Sequence, residues 1–449
     1  MPVRELCGWG RFPRSRSTVC RPERMREAVP PGTGGVLARG LGRSYGDAAT
    51  LEGGTVILLE RLDRFLSFDP ETGVLRAEAG ASLAEVLDIF LPRGWFPPVT
   101  PGTKHVTLGG CVAADVHGKN HHRRGAFGAH VDEIEIVLAD GSRRRCSPAQ
   151  DAALFWATVG GMGLTGIITE VTLRLSPVES AHVVAEHRKA DSVEEIYASL
   201  EDPAWDDETS IAWVDVASTG ARFGRGIVIR GHHAARRELP SRVKDPLRRR
   251  VPPRIGLPFD LPSGLLRRRA VASFNEIYHR LQARKRQAFL TGIDPYFYPL
   301  DVVDRWNRLY GRSGFTQYQC VLPTSSSREG IPRLLEEIRK TGCFSTLAVL
   351  KRFGEGDPAP LSFPMAGYTI ALDFPLADRS VLPLLDRLDA IVLEHAGRVY
   401  LAKDARLRPE TFRGMYPRLG EFLRVKRAVD PENRFRSDLS ARVSLAGAA

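Results

Sequence analysis

Thirteen residues near the N-terminus, LARGLGRSYGDAA (residues 37–49), carry the composition of a phosphate-binding turn. Gly40, Gly42 and Gly46 can expose backbone N–H groups and let a pyrophosphate approach closely, while Arg39 and Arg43 add positive charge. A Rossmann fingerprint requires GxGxxG at the opening of a helix. The spacing here is GxGxxxG, and the following DAATLEGGTVILLE reads as loop and then strand. GRSYG also has the GxSxG form of a nucleophile elbow, which demands a helix directly after Ser44, and none is evident. Taken alone, the turn is explained equally well as a Gly-rich hairpin.

Two further segments have the same character. TPGTKHVTLGGCVAADVHGKNHH (residues 100–122) gathers Gly109, Gly110, Ala113 and Ala114, whose small side chains would let a helix or turn lie flush against a flat ligand. GGMGLTGIITEVTLRLSP (residues 160–177) is a Gly-rich turn that runs straight into a strand. Three phosphate- or ring-accommodating turns in one region are hard to explain as loop decoration. HGKNHH also sets His117 and His121 at i, i+4, a pair able to start a metal site, but HExxH and a third ligand at suitable spacing are absent, so no metal is expected. Gln317 and Gln319 alternate on a strand pattern and so share one face, where they can hydrogen-bond sugar hydroxyls. Lys351 can meet a phosphate as a point charge. Each of these is also compatible with a satisfied polar residue of a sheet.

The elements that must position these residues follow from periodicity. Residues 35–39, 55–60 and 74–80 read as short strands. SLAEVLDIFLPRG has apolar residues at 83, 86, 87, 90 and 91, a helical spacing with Ser82 as N-cap and Gly94 as stop. EIEIVLADG and GIITEVTLRLSP add strands, giving an α+β region over residues 1–177. From 178 to 394 strand-like runs (SIAWVDVA, GIVIRG, TQYQCVLP, FSTLAVLKRFG, YTIALDFPL) alternate with helical stretches, the pattern of an antiparallel sheet with helices on one side. Residues 395–449 read as a return to the first region.

The chain has 449 residues, 43% apolar and 26% charged, which suits two or three globular domains. No apolar run reaches membrane-spanning length, and the basic N-terminus lacks a signal-peptide core, so a cytoplasmic protein is expected. Six scattered cysteines make neither a disulfide framework nor a zinc knuckle. The net charge of +11 favours phosphorylated partners, but no nucleic-acid-binding motif accompanies it, and nucleic acid is not expected as a partner. Residues 244–269, KDPLRRRVPPRIGLPFDLPSGLLRRR, read as a solvated loop; the sharper reading is contact with an anionic membrane surface.

Taken together, the three Gly-rich turns resemble the FAD-binding domain of the vanillyl-alcohol-oxidase family, with an RGxGxS turn, a PGxxxxTxGG segment and GxxGLxGIIT in order; KRAVDPENRF (residues 426–435) is similar to the family's closing DPxNxF. The resemblance implies a two-domain PCMH-type fold with an antiparallel substrate sheet, and FAD as cofactor. The cofactor would lie against Arg39, Gly40, Leu41, Gly42, Arg43, Ser44 and Tyr45. It would also meet Thr100, Pro101, Gly102, Thr103, Val106, Thr107, Gly109, Gly110, Ala113, Ala114, His117, Gly118 and Asn120. Gly163, Leu164, Gly166, Ile167 and Ile168, with Tyr400 and Lys403, complete the set. Several members attach FAD to a His in the first turn, where this chain has Arg43, so non-covalent FAD is expected.

Within the family, GLGRSYGDAA, DVHGKNHH, GFTQYQCVLP, APLSFPMAGY and YLAKDAR resemble the branch that oxidises a polyprenyl-phosphate ribose, half of an epimerisation that a separate reductase completes. That resemblance implies Lys403, His117 and Tyr45 as catalytic residues and Gln317, Gln319, Lys351, Ala371 and Trp213 at the substrate. By the same resemblance, the position of Ala371 is usually a Cys beside the flavin. Oxidation of a free sugar, alditol or aldonolactone is the alternative within the class, and a basic non-enzymatic binding protein the alternative outside it.

Overall fold

The computed structural model describes residues 1–32, 34–285 and 287–445. Its first sheet runs in the order Val3–Cys7, Arg14–Cys20, Thr55–Leu58, Val36–Arg39, and its last three strands pair in parallel. Val36, Leu37, Val56 and Ile57 are fully buried, as expected of a short apolar strand covered on both faces. The second sheet is antiparallel, in the order Phe65–Phe68, Val74–Glu78, Ile167–Arg174, Val131–Val137, Arg143–Cys146. The helix Leu83–Phe90 buries Leu83, Val86, Leu87 and Phe90. Ser82 accepts from the Glu85 N–H while Glu85 reaches back to the Ser82 N–H, a reciprocal cap worth about 1 kcal/mol.

The third sheet has eight antiparallel strands: Phe289–Gly292, His182–Ala190, Gly226–His233, Thr209–Val214, Ala348–Phe353, Gly367–Pro375, Phe315–Pro323 and Arg398–Val399. Its strands alternate strictly. Ala212, Val214, Val228, Leu350, Ile370 and Leu372 share a core with the helices Val193–Glu201, Thr324–Thr341 and Val381–Glu394. The opposite face carries Trp213, Val349, Lys351, Thr369, Ala371, Asp373, Gln317 and Gln319 over four adjacent strands. Trp213 sits opposite Val349, Val349 opposite Ala371, Ala371 opposite Gln319, and Lys351 opposite Thr369.

The last helices, Pro409–Met415, Leu419–Val429 and Asp438–Arg442, close the chain onto its beginning. Val36 donates to the Arg434 carbonyl at 2.8 Å, and Arg434 Nη1 donates to the Ala139 carbonyl. Asp430 accepts from the N–H groups of Arg434 and Phe435 at 2.7 Å and pairs with Lys426. DPENRF is thus a latch that holds the chain end against the first sheet. Residues 244–269, expected as a loop, hold the two-residue strand Ile255–Gly256 and the start of a helix, Arg268–Gln282, which periodicity had not marked, and are otherwise without regular elements. Among the described residues no helix is long and apolar enough to cross a membrane.

Candidate active site

The first Gly-rich turn leaves the strand Val36–Arg39 and is clamped from three sides. Trp9 N–H donates to the Ser44 carbonyl at 2.7 Å, and Tyr45 N–H donates to the Ala402 carbonyl at 2.9 Å. Gly46 lies against the Asp404 backbone, where a Cβ would stand 1.7 Å from the carbonyl oxygen. Between the clamps, the N–H groups of Leu41, Gly42, Arg43 and Ser44 meet no protein acceptor among the described residues. Gly42 has φ 63°. Successive unpaired N–H groups around a left-handed residue form an anion-binding nest. Arg43 reinforces it: its guanidinium lies 4.0 Å from the Trp9 ring centroid, and its buried Nε has no partner. Arg39 donates from its guanidinium to the carbonyls of Cys7 and Ala49, which shapes the turn.

Thr107 caps the helix Leu108–Ala113 and packs on Gly40, whose Cβ would stand 2.2 Å from Thr107 Oγ1. The N–H groups of Leu108, Gly109 and Gly110 go to the Ala81 and Ala79 carbonyls and to Thr107 Oγ1, so this helix start has no N–H left for a ligand. Ala113 and Ala114 keep part of their surface free, fitting a wall for a flat ring. The third turn holds that wall: Gly160 and Met162 donate to the carbonyls of Val112 and Ala113. Leu164, Gly166 and Ile167 are sealed in the core behind this segment, with Ile168 nearly so. Thr100 is likewise buried, its Oγ1 hydrogen-bonded to Tyr298 Oη at 2.8 Å.

At the other end, Lys403 extends its Nζ over the Tyr45 ring, 3.5 Å from the centroid. It forms no salt bridge with Asp404, which pairs with Arg442 and accepts from the Arg406 and Leu407 N–H groups. Burial pulls Lys403 down to about 7, opposed by Asp373 and assisted by Lys351. Burial pushes the Asp373 carboxyl up to about 7, against a hydrogen bond from Gln317 Nε2 at 2.5 Å. His117 Nε2 is 2.9 Å from the Gln319 amide nitrogen, which also reaches Thr369 Oγ1. As assigned, that amide donates to Nε2, leaving the proton on Nδ1, which is buried without a partner. Burial, then Lys351, His121 and Lys403, hold His117 well below its usual range and therefore neutral.

Tyr400 spends its hydroxyl on the Ala114 carbonyl at 2.7 Å and stacks on Phe363, so it positions the ring wall. Lys351 has no ion pair among the described residues and is drawn down to about 8 by burial. Lys119 is drawn to about 7 by burial and by Lys351, with its Nζ on the Tyr296 carbonyl. By surface area Lys119, Lys351 and Lys403 are only half-buried, yet protein surrounds each of them, as it surrounds side chains lining an internal space. Trp213 and Ala371 share the sheet face with Lys351.

Sequence reasoning singled out neither Asp373 nor Lys119. The signal for the first was a lone carboxylate in the apolar run YTIALDFPL, two residues and hence one face from Ala371. The signal for the second was its place inside HGKNHH.

The unpaired N–H nest, the orphaned Arg43 Nε and His117 Nδ1, and the small-residue wall fit a dinucleotide with a flat ring. The family described as FAD binding domain matches residues 33–147, and that described as D-arabinono-1,4-lactone oxidase matches residues 316–443. The chain is 41% identical to the decaprenylphosphoryl-β-D-ribose oxidase of Mycolicibacterium smegmatis over 99% of its own length and 98% of the relative's. It is 37% identical to an uncharacterised protein of Streptomyces coelicolor, over 81% of this chain and all of the other. A putative D-arabinono-1,4-lactone oxidase of Neurospora crassa is 29% identical over 38% of this chain and 30% of the relative. An α+β fold with an antiparallel second sheet, a cofactor cradle and a match along the whole chain place this protein among the FAD-dependent oxidoreductases, in the family of the M. smegmatis ribose oxidase.

Proposed function

We propose that this protein oxidises the C2 hydroxyl of the ribose in a polyprenylphosphoryl-β-D-ribose to the 2-keto sugar. The observation that carries the reading is three lysines drawn down by burial, Lys119, Lys351 and Lys403, of which only Lys403 is countered by a carboxylate, Asp373. Desolvated cations without matching anions favour an anionic ligand, and a sugar phosphate supplies one. The 41% identical relative carries the name of that activity.

The alcohol must lose a hydride and a proton, and FAD, when bound, supplies the hydride acceptor. Leu41 to Ser44 and Arg43 would hold its pyrophosphate, and Ala113, Ala114 and Tyr400 its ring. Arg43 cannot form the covalent bond that a histidine could, so we infer non-covalent FAD; acid precipitation should leave the flavin in the supernatant. His117, with Nδ1–H free, positions the substrate oxygen as a donor. Asp373, poised near neutrality, takes up the hydroxyl proton. Lys403 remains a cation beside it and stabilises negative charge that builds during turnover. Gln319 fixes the His117 tautomer, and Gln317 orients Asp373. Lys351 and Lys119 meet the phosphate, and Trp213 and Ala371 line the sugar. We assign residues 1–177 to the cofactor domain, 178–394 to the substrate domain and 395–449 to the returning segment. The keto product requires a reductase to complete an epimerisation, and the lipid chain places the enzyme peripherally at a membrane, with residues 244–269 on that side.

Trapping the product with borodeuteride tests the reading. Deuterium at C2 of the recovered sugar supports it; deuterium at another carbon, or none, overturns it. The D-arabinono-1,4-lactone oxidase match over residues 316–443 favours a second reading, oxidation of a soluble sugar or lactone.

A further inference from the structure

Most globular helices bury their apolar stripe; the helix Arg268–Gln282 turns one outward. Its inner face is Val271, Asn275 and His279, all buried, with Asn275 hydrogen-bonded to Asp215 and Tyr278 packed 4.9 Å from the Trp213 ring. Its outer face carries Phe274, Ile277 and Leu281, which are 63%, 59% and 52% exposed. At 100° per residue these three fall within about 60° of one another, a single stripe. Phe274 stacks on Tyr278, so the stripe begins directly above the ring that covers Trp213. The chain entering the helix adds Val251, Ile255, Phe259 and Leu265, so seven of the fifteen exposed large hydrophobics among the described residues lie within residues 251–281.

Charge flanks the stripe. Arg267 and Arg269 at its start and Arg284 and Lys285 just past its end are all exposed, and none of the four has an ion pair among the described residues, Lys285 Nζ lying 4.9 Å from the Phe289 ring centroid. An outward apolar stripe with exposed cations at both ends has the chemistry of an interfacial helix, its apolar side chains seated at the acyl boundary and its cations against anionic headgroups. We propose that Arg268–Gln282 is the membrane-docking element of this enzyme and that its occupant is an anionic phospholipid surface. This rests on the lipid-linked substrate reading and places the docking surface at the mouth of the substrate face through Tyr278 and Trp213. It moves the point of contact from the basic loop to the helix that follows it. A lipid-anchored sugar could then reach Lys351 and Ala371 without its chain leaving the bilayer.

The test is vesicle flotation of the holoenzyme with phosphatidylcholine alone and with an equimolar phosphatidylcholine–phosphatidylglycerol mixture. The wild type should float with the anionic vesicles. The triple variant F274S/I277S/L281S, whose changes leave the inner face intact, should partition on the order of tenfold more weakly, and R269E/R284E should lose the preference for anionic lipid. Flavin content and flavin reduction by a short-chain, soluble polyprenylphosphoryl ribose should match wild type in both variants. Failure of the wild type to float, or equal flotation of the triple variant, overturns the proposal. So does light scattering that shows the stripe joining two copies of the chain in solution. Flotation by a protein whose flavin the short-chain substrate does not reduce would sink the substrate reading and leave the docking surface standing.

Discussion

Asp373 and Lys403 define the residue scale of the account because each is moved toward neutrality by burial and each opposes the other's shift. The productive state has Asp373 ionised and Lys403 protonated. Below about 7 Asp373 gains a proton and the base is lost; above about 7 Lys403 loses one and the cation is lost. The pH profile of kcat should therefore be a narrow bell centred near neutrality. Asp373→Asn should keep FAD, lower kcat by about a hundredfold, remove the acid limb and move the alkaline limb to lower pH, since Asp373 is what raises Lys403. An alkaline limb that stays in place would contradict the pairing. At Ala371, substitution by Cys introduces a thiol at a half-exposed strand position on the same sheet face as Lys351. Thiol-directed nitroaromatic or maleimide probes should add one label to A371C beyond whatever wild type takes up, read by intact mass. Lys351, Gln317, Gln319 and Lys403 were legible as chemistry-bearing residues; Asp373 was not, because a single carboxylate in an apolar strand says nothing until register pairs it with Gln317.

At the scale of elements, the junction between the first turn and the YLAKDAR segment is the tightest joint in the site. Gly46→Ala would push a Cβ to 1.7 Å from the Asp404 carbonyl oxygen, a backbone contact that cannot swing away. The expected result is a loss of about 2 kcal/mol in stability with reduced flavin content, measured by thermal unfolding and by absorbance of the purified protein. Unchanged melting and full flavin would mean that this joint is not rigid. The local elements were largely readable: the Ser82-capped helix, the strand after each Gly-rich turn, and the alternation of the Phe315–Pro323 and Gly367–Pro375 strands all follow from short-range pattern. The helix Arg268–Gln282 was not, since its apolar stripe faces outward and the Pro- and Arg-rich lead-in masks its start. Nor could spacing tell Leu164 and Ile167, which back the ring wall, from Ala113 and Ala114, which form it; that distinction is one of burial.

Over the whole molecule, the chain begins and ends on the same sheet and spends its middle building the opposite wall. Arg442 ties Asp47 in the first turn to Asp404 beside Lys403, so the turn and the Lys403 segment are held by one residue. The sheet face then brings Lys351, Ala371 and Asp373 against that assembly, with His117 and Gln319 joining the two halves at 2.9 Å. Under the proposed function, phosphate recognition and alcohol oxidation both fall to residues of this one assembly. Anaerobic mixing of the holoenzyme with three compounds, followed by flavin absorbance, tests that claim most directly: a polyprenylphosphoryl ribose, the same prenyl riboside without its phosphate, and a simple alditol. The account predicts rapid bleaching by the first, bleaching at least about tenfold slower by the second at equal concentration, and none by the third. Equal bleaching with and without the phosphate, or bleaching by the alditol alone, would contradict it.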